Sequence, residues 1–146
     1  MRRAPNLLAT VGERLARHQQ RMTPVREQLV EVLAASDRPL TIPEILDARR
    51  GLAQSSVYRN LVVLEDAAVV HRIVTHDEFA RYELAEDLTG HHHHLVCANC
   101  GRVEDLPASP SIERSVEAAI EQAARKVGFR TAHHRLDLVG TCADCS

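Results

Sequence analysis

Residues 55–84 read SSVYRNLVVLEDAAVVHRIVTHDEFARYEL, and a change of period inside that stretch decides the fold class. From about Ser55 to Ala67 the apolar positions recur at helical spacing, with Val57, Leu61, Leu64 and Ala68 on one face. Then two β-prone runs follow, Val69–Val74 and Phe79–Leu84, around the polar turn His76-Asp77-Glu78. A helix that leads straight into a hairpin is the second half of a winged helix-turn-helix, provided that helices precede it.

They do. A basic, helical pattern over residues 5–20 carries Leu7, Leu8, Val11 and Leu15. Thr23-Pro24 reads as an N-cap with proline at the first helical position, and Val25, Leu29, Val32 and Leu33 form the expected buried stripe. Thr41-Ile42-Pro43-Glu44 is a capping box, followed by Ile42, Ile45 and Leu46 as core positions and Gly51 as the stop. Downstream, the short polar segment Ala85–Gly90 is the expected hinge. Strands are expected at His91–Val96 and Arg102–Leu106. Ser109-Pro110 opens a long amphipathic helix through Ile112, Val116, Ile120 and Ala124 that ends at Gly128. Arg130–Val139, with Leu136 and Leu138, reads as a last strand. The fold class is therefore α+β. A winged helix occupies residues 1–84, a hinge 85–90, and a small α/β domain 91–146.

With 146 residues the chain is long enough for one ordinary domain or two small ones. It is 45% hydrophobic but only 3% aromatic, so its cores must be aliphatic. It shows no long apolar run and no secretory leader, and so reads as soluble and cytoplasmic, with no membrane partner. The net charge of −2 hides an asymmetry. Residues 1–60 carry ten Arg against six acidic residues, and residues 61–146 eight basic against fourteen acidic. Arg2, Arg3, Arg14, Arg17, Arg21 and Arg26 face only Glu13, which points to a polyanion as the partner of the front half.

All four cysteines lie in the last 50 residues as two Cys-x-x-Cys pairs, Cys97/Cys100 and Cys142/Cys145. Four thiolates suit tetrahedral Zn²⁺, and each short turn presents two of them. With every position filled by protein, such a zinc is structural and clamps the end of the chain onto its domain.

The run His91-His92-His93-His94 carries a second signal. In a strand, side chains alternate faces, so His91 and His93 point one way, His92 and His94 the other. Four adjacent histidines thus supply half of two metal sites. Candidate partners are His71, His76 and Glu83 on the hairpin, and Glu113, His133 and His134 on the long helix and last strand. The third signal is Ser55-Ser56-Val57-Tyr58-Arg59-Asn60-Leu61. Val57 and Leu61 turn to the core, which leaves Ser55, Ser56, Tyr58, Arg59 and Asn60 to meet phosphates and base edges in a major groove, with Arg21 and Arg26 beside them.

In order and spacing these three motifs resemble the ferric uptake regulator family, from about residue 20 to the C-terminus. The carriers are Ser56–Leu61, His91–Gly101 and Gly140–Cys145. The resemblance implies a homodimeric, metal-dependent repressor that binds inverted-repeat operators, with an N-terminal winged helix and a C-terminal α/β dimerisation domain. It implies that Tyr58 and Arg59 contact DNA and that Cys97, Cys100, Cys142 and Cys145 hold structural zinc. It places His92 and His94 at the regulatory metal, with Glu83 and, by analogy with zinc-sensing relatives, His71. It places His91, His93, Glu113 and His134 at an additional metal site. Two departures bear on the metal. The loop before the third helix, Asp37-Arg38-Pro39-Leu40, lacks the histidine used by many iron sensors, and Ala85 stands where many zinc sensors have a cysteine. A His/Glu set suits Fe²⁺ and Zn²⁺, and also Mn²⁺ and Ni²⁺.

On this reading a metal at the hinge restrains the angle between the two domains. The rival readings are a metal store or chaperone that binds no DNA, and a small zinc hydrolase with Glu83 or Glu113 as base. The hydrolase lacks a His-Glu-x-x-His helix and leaves the basic front half without a role.

Overall fold

The computed structural model describes residues 6–146. Arg2 and Arg3, the first charges of the expected basic arm, lie outside the described residues.

Helix α1 (Leu7–Arg17) buries Leu7, Val11 and Leu15 along one stripe. In α2 (Pro24–Ala35), Thr23 caps the N-terminus through its side chain and Pro24 stands in the first turn. The buried face is Leu29, Val30, Leu33 and Ala34, while Val25 and Val32 are only half-buried at its rim. A two-residue strand β1 (Leu40–Thr41) follows that the apolar pattern did not predict. Thr41 then caps α3 (Ile42–Ala48) in a reciprocal capping box with Glu44. Helix α4 (Gln54–Asp66) buries Val57, Leu61 and Leu64. Its stripe ends on Ala67, not Ala68, because Ala68 takes a left-handed conformation (φ +56°) and turns outward.

The hairpin of β2 (Val70–Val74) and β3 (Ala80–Leu84) completes the winged helix, with sheet order β1-β3-β2. The segment expected as the hinge contains one helical turn, α5 (Glu86–Thr89), pinned by buried Leu88. The second sheet has order β5-β4-β6, built from β4 (His92–Cys97), β5 (Val103–Pro107) and β6 (Asp137–Gly140). Strand β6 runs parallel to β4, joined to β5 by the crossover helix α6 (Pro110–Lys126). The last strand is shorter than the Arg130–Val139 expected. Residues 130–135 carry no alternating apolar set and are mostly exposed, so nothing holds them in a ladder.

The burial is lopsided. The hydrophobic core runs from Leu7 to Leu88, whereas beyond Leu88 the buried apolar residues are Cys97 and Val103. Helix α6 buries none of its residues. The two sheets touch at particular side chains. Glu83 on β3 meets His92 and His94 on β4. Asp77, at the tip of the hairpin and held by Arg81 at 2.7 and 2.8 Å, lies against Gly101. Among the described residues no helix is long and apolar enough to cross a membrane.

Candidate metal centres and nucleic-acid interface

The cysteine quartet comes together as the spacing predicts. The antiparallel β4–β5 pair turns at the Cys97–Cys100 knuckle, and the parallel register Cys97↔Gly140 delivers Cys142 and Cys145 beside it. Ligand atoms of all four lie within 4.8 Å of one another. Cys100 Sγ and Cys142 Sγ are 3.8 Å apart, the edge expected of two thiolates each about 2.3 Å from a tetrahedral centre. Backbone amides of Cys100 and Cys142 donate toward the Cys97 sulfur and lower its thiol, which favours the thiolate there. All four thiols are free of disulfides, and the donor set fits zinc.

Alternation along β4 splits the histidines as expected. His92 and His94 face Glu83: His92 Nε2 is 3.0 Å from Glu83 Oε2, and His94 Nε2 is 3.0 Å from Oε1. The far ring nitrogens are fixed, His92 Nδ1 on the Gly90 carbonyl at 3.0 Å and His94 Nδ1 on Asp137 at 3.1 Å. Both Nε2 atoms therefore point inward, as outer contacts require of ligand imidazoles. Burial pushes the Glu83 carboxyl up, but hydrogen bonds from the two histidines outweigh it and hold it at about 2. The Glu83 contact raises His92 to about 9 against the opposing effect of burial.

The fourth member of this group is Asp105, with Oδ1 3.7 Å from His92 Nε2 and 4.0 Å from His94 Nε2. That oxygen is buried and makes no hydrogen bond among the described residues. Burial raises its carboxyl, which marks a group better accommodated by a cation than by solvent. His71 stands outside the group. It pairs with Glu83 in the ladder, but β2 is the edge strand and its ring turns outward to Arg135. A cleft of about 640 Å³ lined by Asp37, Arg38, Glu83, His92 and Asp105 lies beside this group.

On the other face of β4, His91 and His93 join Glu113 of α6 and His134, again with ligand atoms within 4.8 Å. His93 Nε2 is 2.5 Å from Glu113 Oε1, and His91 and His134 are each 3.1 Å from Oε2. Glu113 Oε2 makes no hydrogen bond among the described residues despite these distances. The Nε2 atoms of His91 and His134 meet at 3.3 Å. Lone pairs converging in this way suit a cation between them. The contact with His93 keeps Glu113 below its ordinary range despite the opposing effect of burial. His76 and His133 join neither group.

Helix α4 presents Ser55, Tyr58 and Arg59 to solvent, with Ser56 and Asn60 half-buried behind them. Among the described residues no side chain caps its N-terminus, which leaves the first amides open to phosphate. Arg26 and Asn60 engage each other instead: Arg26 Nε donates to Asn60 Oδ1 at 2.9 Å and Arg26 NH1 to the Arg21 carbonyl at 2.6 Å. Asn60 Nδ2 donates to the Ser56 carbonyl at 2.8 Å. The pair braces α4 against α2 and leaves Arg21, Tyr58 and Arg59 as the outward groups.

The description "Ferric uptake regulator family" matches residues 17–139. The chain is similar to the peroxide operon regulator of Bacillus subtilis, 31% identical over 132 residues that span 86% of this chain and 84% of that one. It is 37% identical over 133 residues to the ferric uptake regulation protein of Campylobacter jejuni, covering 85% and 78% of the two. Among solved structures, the Helicobacter pylori ferric uptake regulator, described with three functional metal-binding sites, superposes with a TM-score of 0.78 at 27% identity. The match covers 99% of this chain and 97% of that one.

Proposed function

Because this chain belongs to the ferric uptake regulator family, we propose that it is a metal-responsive, DNA-binding transcriptional repressor that controls genes of metal-ion homeostasis. In this reading residues 1–84 bind DNA, residues 85–90 are the hinge, and residues 91–146 dimerise and bind metal. The cysteine quartet holds structural zinc. Glu83, His92 and His94, with Asp105, hold the sensed divalent ion, and His91, His93, Glu113 and His134 hold a further one. His71, outside both groups, is within reach only if its ring leaves Arg135. Three ligand groups in one chain parallel the three functional sites described for the H. pylori regulator.

The observation that carries the proposal is the position of Glu83. It belongs to the central strand of the first sheet, while His92 and His94 belong to the central strand of the second. One ion held by all three ties the winged helix to the rest of the chain. A coupling of roughly 1–3 kcal/mol is enough to change DNA affinity about 5- to 150-fold. The exposed apolar residues Ile112 on α6, Phe129, and Leu138 and Val139 on β6 support a homodimer built on α6 and β6. Two winged helices related by a two-fold axis then read an inverted repeat.

The test is fluorescence anisotropy with inverted-repeat DNA and protein that retains only its zinc in the cysteine site. Fe²⁺, Zn²⁺, Mn²⁺ and Ni²⁺ are titrated in turn without oxygen. One ion should tighten binding, and His92→Ala/His94→Ala should abolish the effect while the dimer and the cysteine-bound zinc persist. DNA binding indifferent to every metal would instead make the chain a metal store.

A further inference from the structure

The group on the outer face of β4 is connected to the winged helix by a route that does not pass through Glu83. His91 turns Nε2 toward Glu113 and His134, and its Nδ1 lies 3.0 Å from Glu86 Oε2. Glu86 is the first residue of α5. Its neighbour Asp87 takes both guanidinium nitrogens of Arg14 on α1, with NH1 at 3.2 Å from Oδ1 and NH2 on Oδ2. Arg14 NH1 also donates to the Ala68 carbonyl at 2.7 Å, just beyond the end of α4. A single turn of helix therefore has a metal-ligand histidine on one side and, on the other, the arginine that braces the base of the recognition helix.

We propose that Glu86 is a positioning residue for the ion held by His91, His93, Glu113 and His134, and that occupancy of this group fixes α5 against α1 and α4. The inference rests on the reading of that group as a metal site. An imidazole that gives its Nε2 lone pair to a metal must carry its proton on Nδ1. A carboxylate accepting from Nδ1–H selects that tautomer, orients the ring and makes Nε2 a better donor. The effect is reciprocal. A cation on Nε2 polarises the Nδ1–H bond and strengthens its hold on Glu86.

The assignment is specific to Glu86. In the other group Nδ1 of His92 is held by the backbone of Gly90 and that of His94 by Asp137, so substitution of Glu86 leaves their contacts in place. His93 Nδ1 is buried and makes no hydrogen bond among the described residues, so it has no comparable tether. Buried Leu88 and the Asp87–Arg14 pair hold α5, with Leu88 N–H to the Ala85 carbonyl at 2.9 Å and Gly90 N–H to the Glu86 carbonyl at 2.5 Å inside the turn. A restraint at Glu86 adds a tether on the side of α5 that faces His91.

The experiment uses the full chain with zinc kept in its cysteine site and Co²⁺ titrated in, followed by visible absorption and chelator competition. The band from this group is assigned by its loss in His134→Ala. Amide hydrogen exchange at Leu88 and Gly90 is read with and without metal. Glu86→Ala should weaken this group roughly 10- to 100-fold and leave the second group unchanged. Glu86→Gln, which still accepts from Nδ1–H, should recover most of the loss. Metal should slow the two amides in the parent and in Glu86→Gln, but not in Glu86→Ala. Equal affinity in Glu86→Ala and the parent, or amides indifferent to metal in the parent, overturns the inference while the metal site stands. If the parent takes no ion at this group at all, the reading beneath it fails as well.

Discussion

With His92 at the sensed ion, as proposed, a proton and the metal compete for its Nε2. The Glu83 carboxylate, 3.0 Å from Nε2, raises this histidine to about 9. A ligand imidazole must be neutral, so an entering ion has to displace the proton. At pH 7, two units below that value, roughly one molecule in a hundred offers a neutral His92, and neutralising it costs about 2.7 kcal/mol at about 1.4 kcal/mol per unit. At pH 9 about half the molecules are ready, and the cost falls to about 0.4 kcal/mol. Apparent affinity should therefore rise roughly fifty-fold from pH 7 to pH 9 through His92 alone. His94 is also raised, by Glu83 and Asp137 against burial, and adds to the slope in the same direction. Glu83, at about 2, stays ionised throughout and adds nothing. The assay is anaerobic titration calorimetry with Mn²⁺, with zinc kept in the cysteine site, in two buffers of different ionisation enthalpy at each pH. About one proton or more should leave per ion bound at pH 7, and fewer at pH 9. An affinity flat between those limits, or a binding heat independent of buffer, would refute the competition.

Without metal, the same groups shape stability against acid and base. The lowered Glu83 stabilises the fold above about 4.5 and loses that contribution as pH falls toward 2; the raised His92 contributes fully below 6.5 and loses it as pH rises through about 9. Urea midpoints should therefore peak between about pH 4.5 and 6.5, and a midpoint still climbing at pH 9 would contradict this. In the core, Leu64→Ala on α4 removes a fully buried side chain and should cost about 2–5 kcal/mol in urea unfolding. A loss under about 1 kcal/mol would mean that the site collapses around the gap. Cys142→Ala should lose the tightly bound zinc, measured by metal analysis after chelation. It should also speed hydrogen exchange along β6, whose residues are all exposed.

Much of this was legible because local rules and packing agree. The capping box at Thr41, the helix ending near Ala67 and the period-2 split of the histidines depend on neighbours close in sequence, and the structure keeps them. What escaped depends on pairing across strands. Asp105 is eleven residues beyond His94, yet sits opposite it once β4 and β5 fold back at the cysteine knuckle. Counting outward from Val96↔Val103 through Leu95↔Glu104 reaches that pair, so the sequence held the signal but not the register that decodes it. His71 shows the reverse. It has the right residue type and a partner in Glu83, but an edge strand leaves its ring free to turn to Arg135. The engagement of Arg26 with Asn60, residues expected at DNA, depends on how α2 crosses α4, and no local pattern encodes that crossing.

Gly101 takes a left-handed conformation (φ +74°), and a Cβ there would overlap the Asp77 carboxylate, which Arg81 keeps from swinging away. A side chain at residue 101, inside the cysteine knuckle, should therefore disturb the hairpin tip as well, and a shorter residue 77 should relieve the overlap while the strain of the left-handed backbone remains.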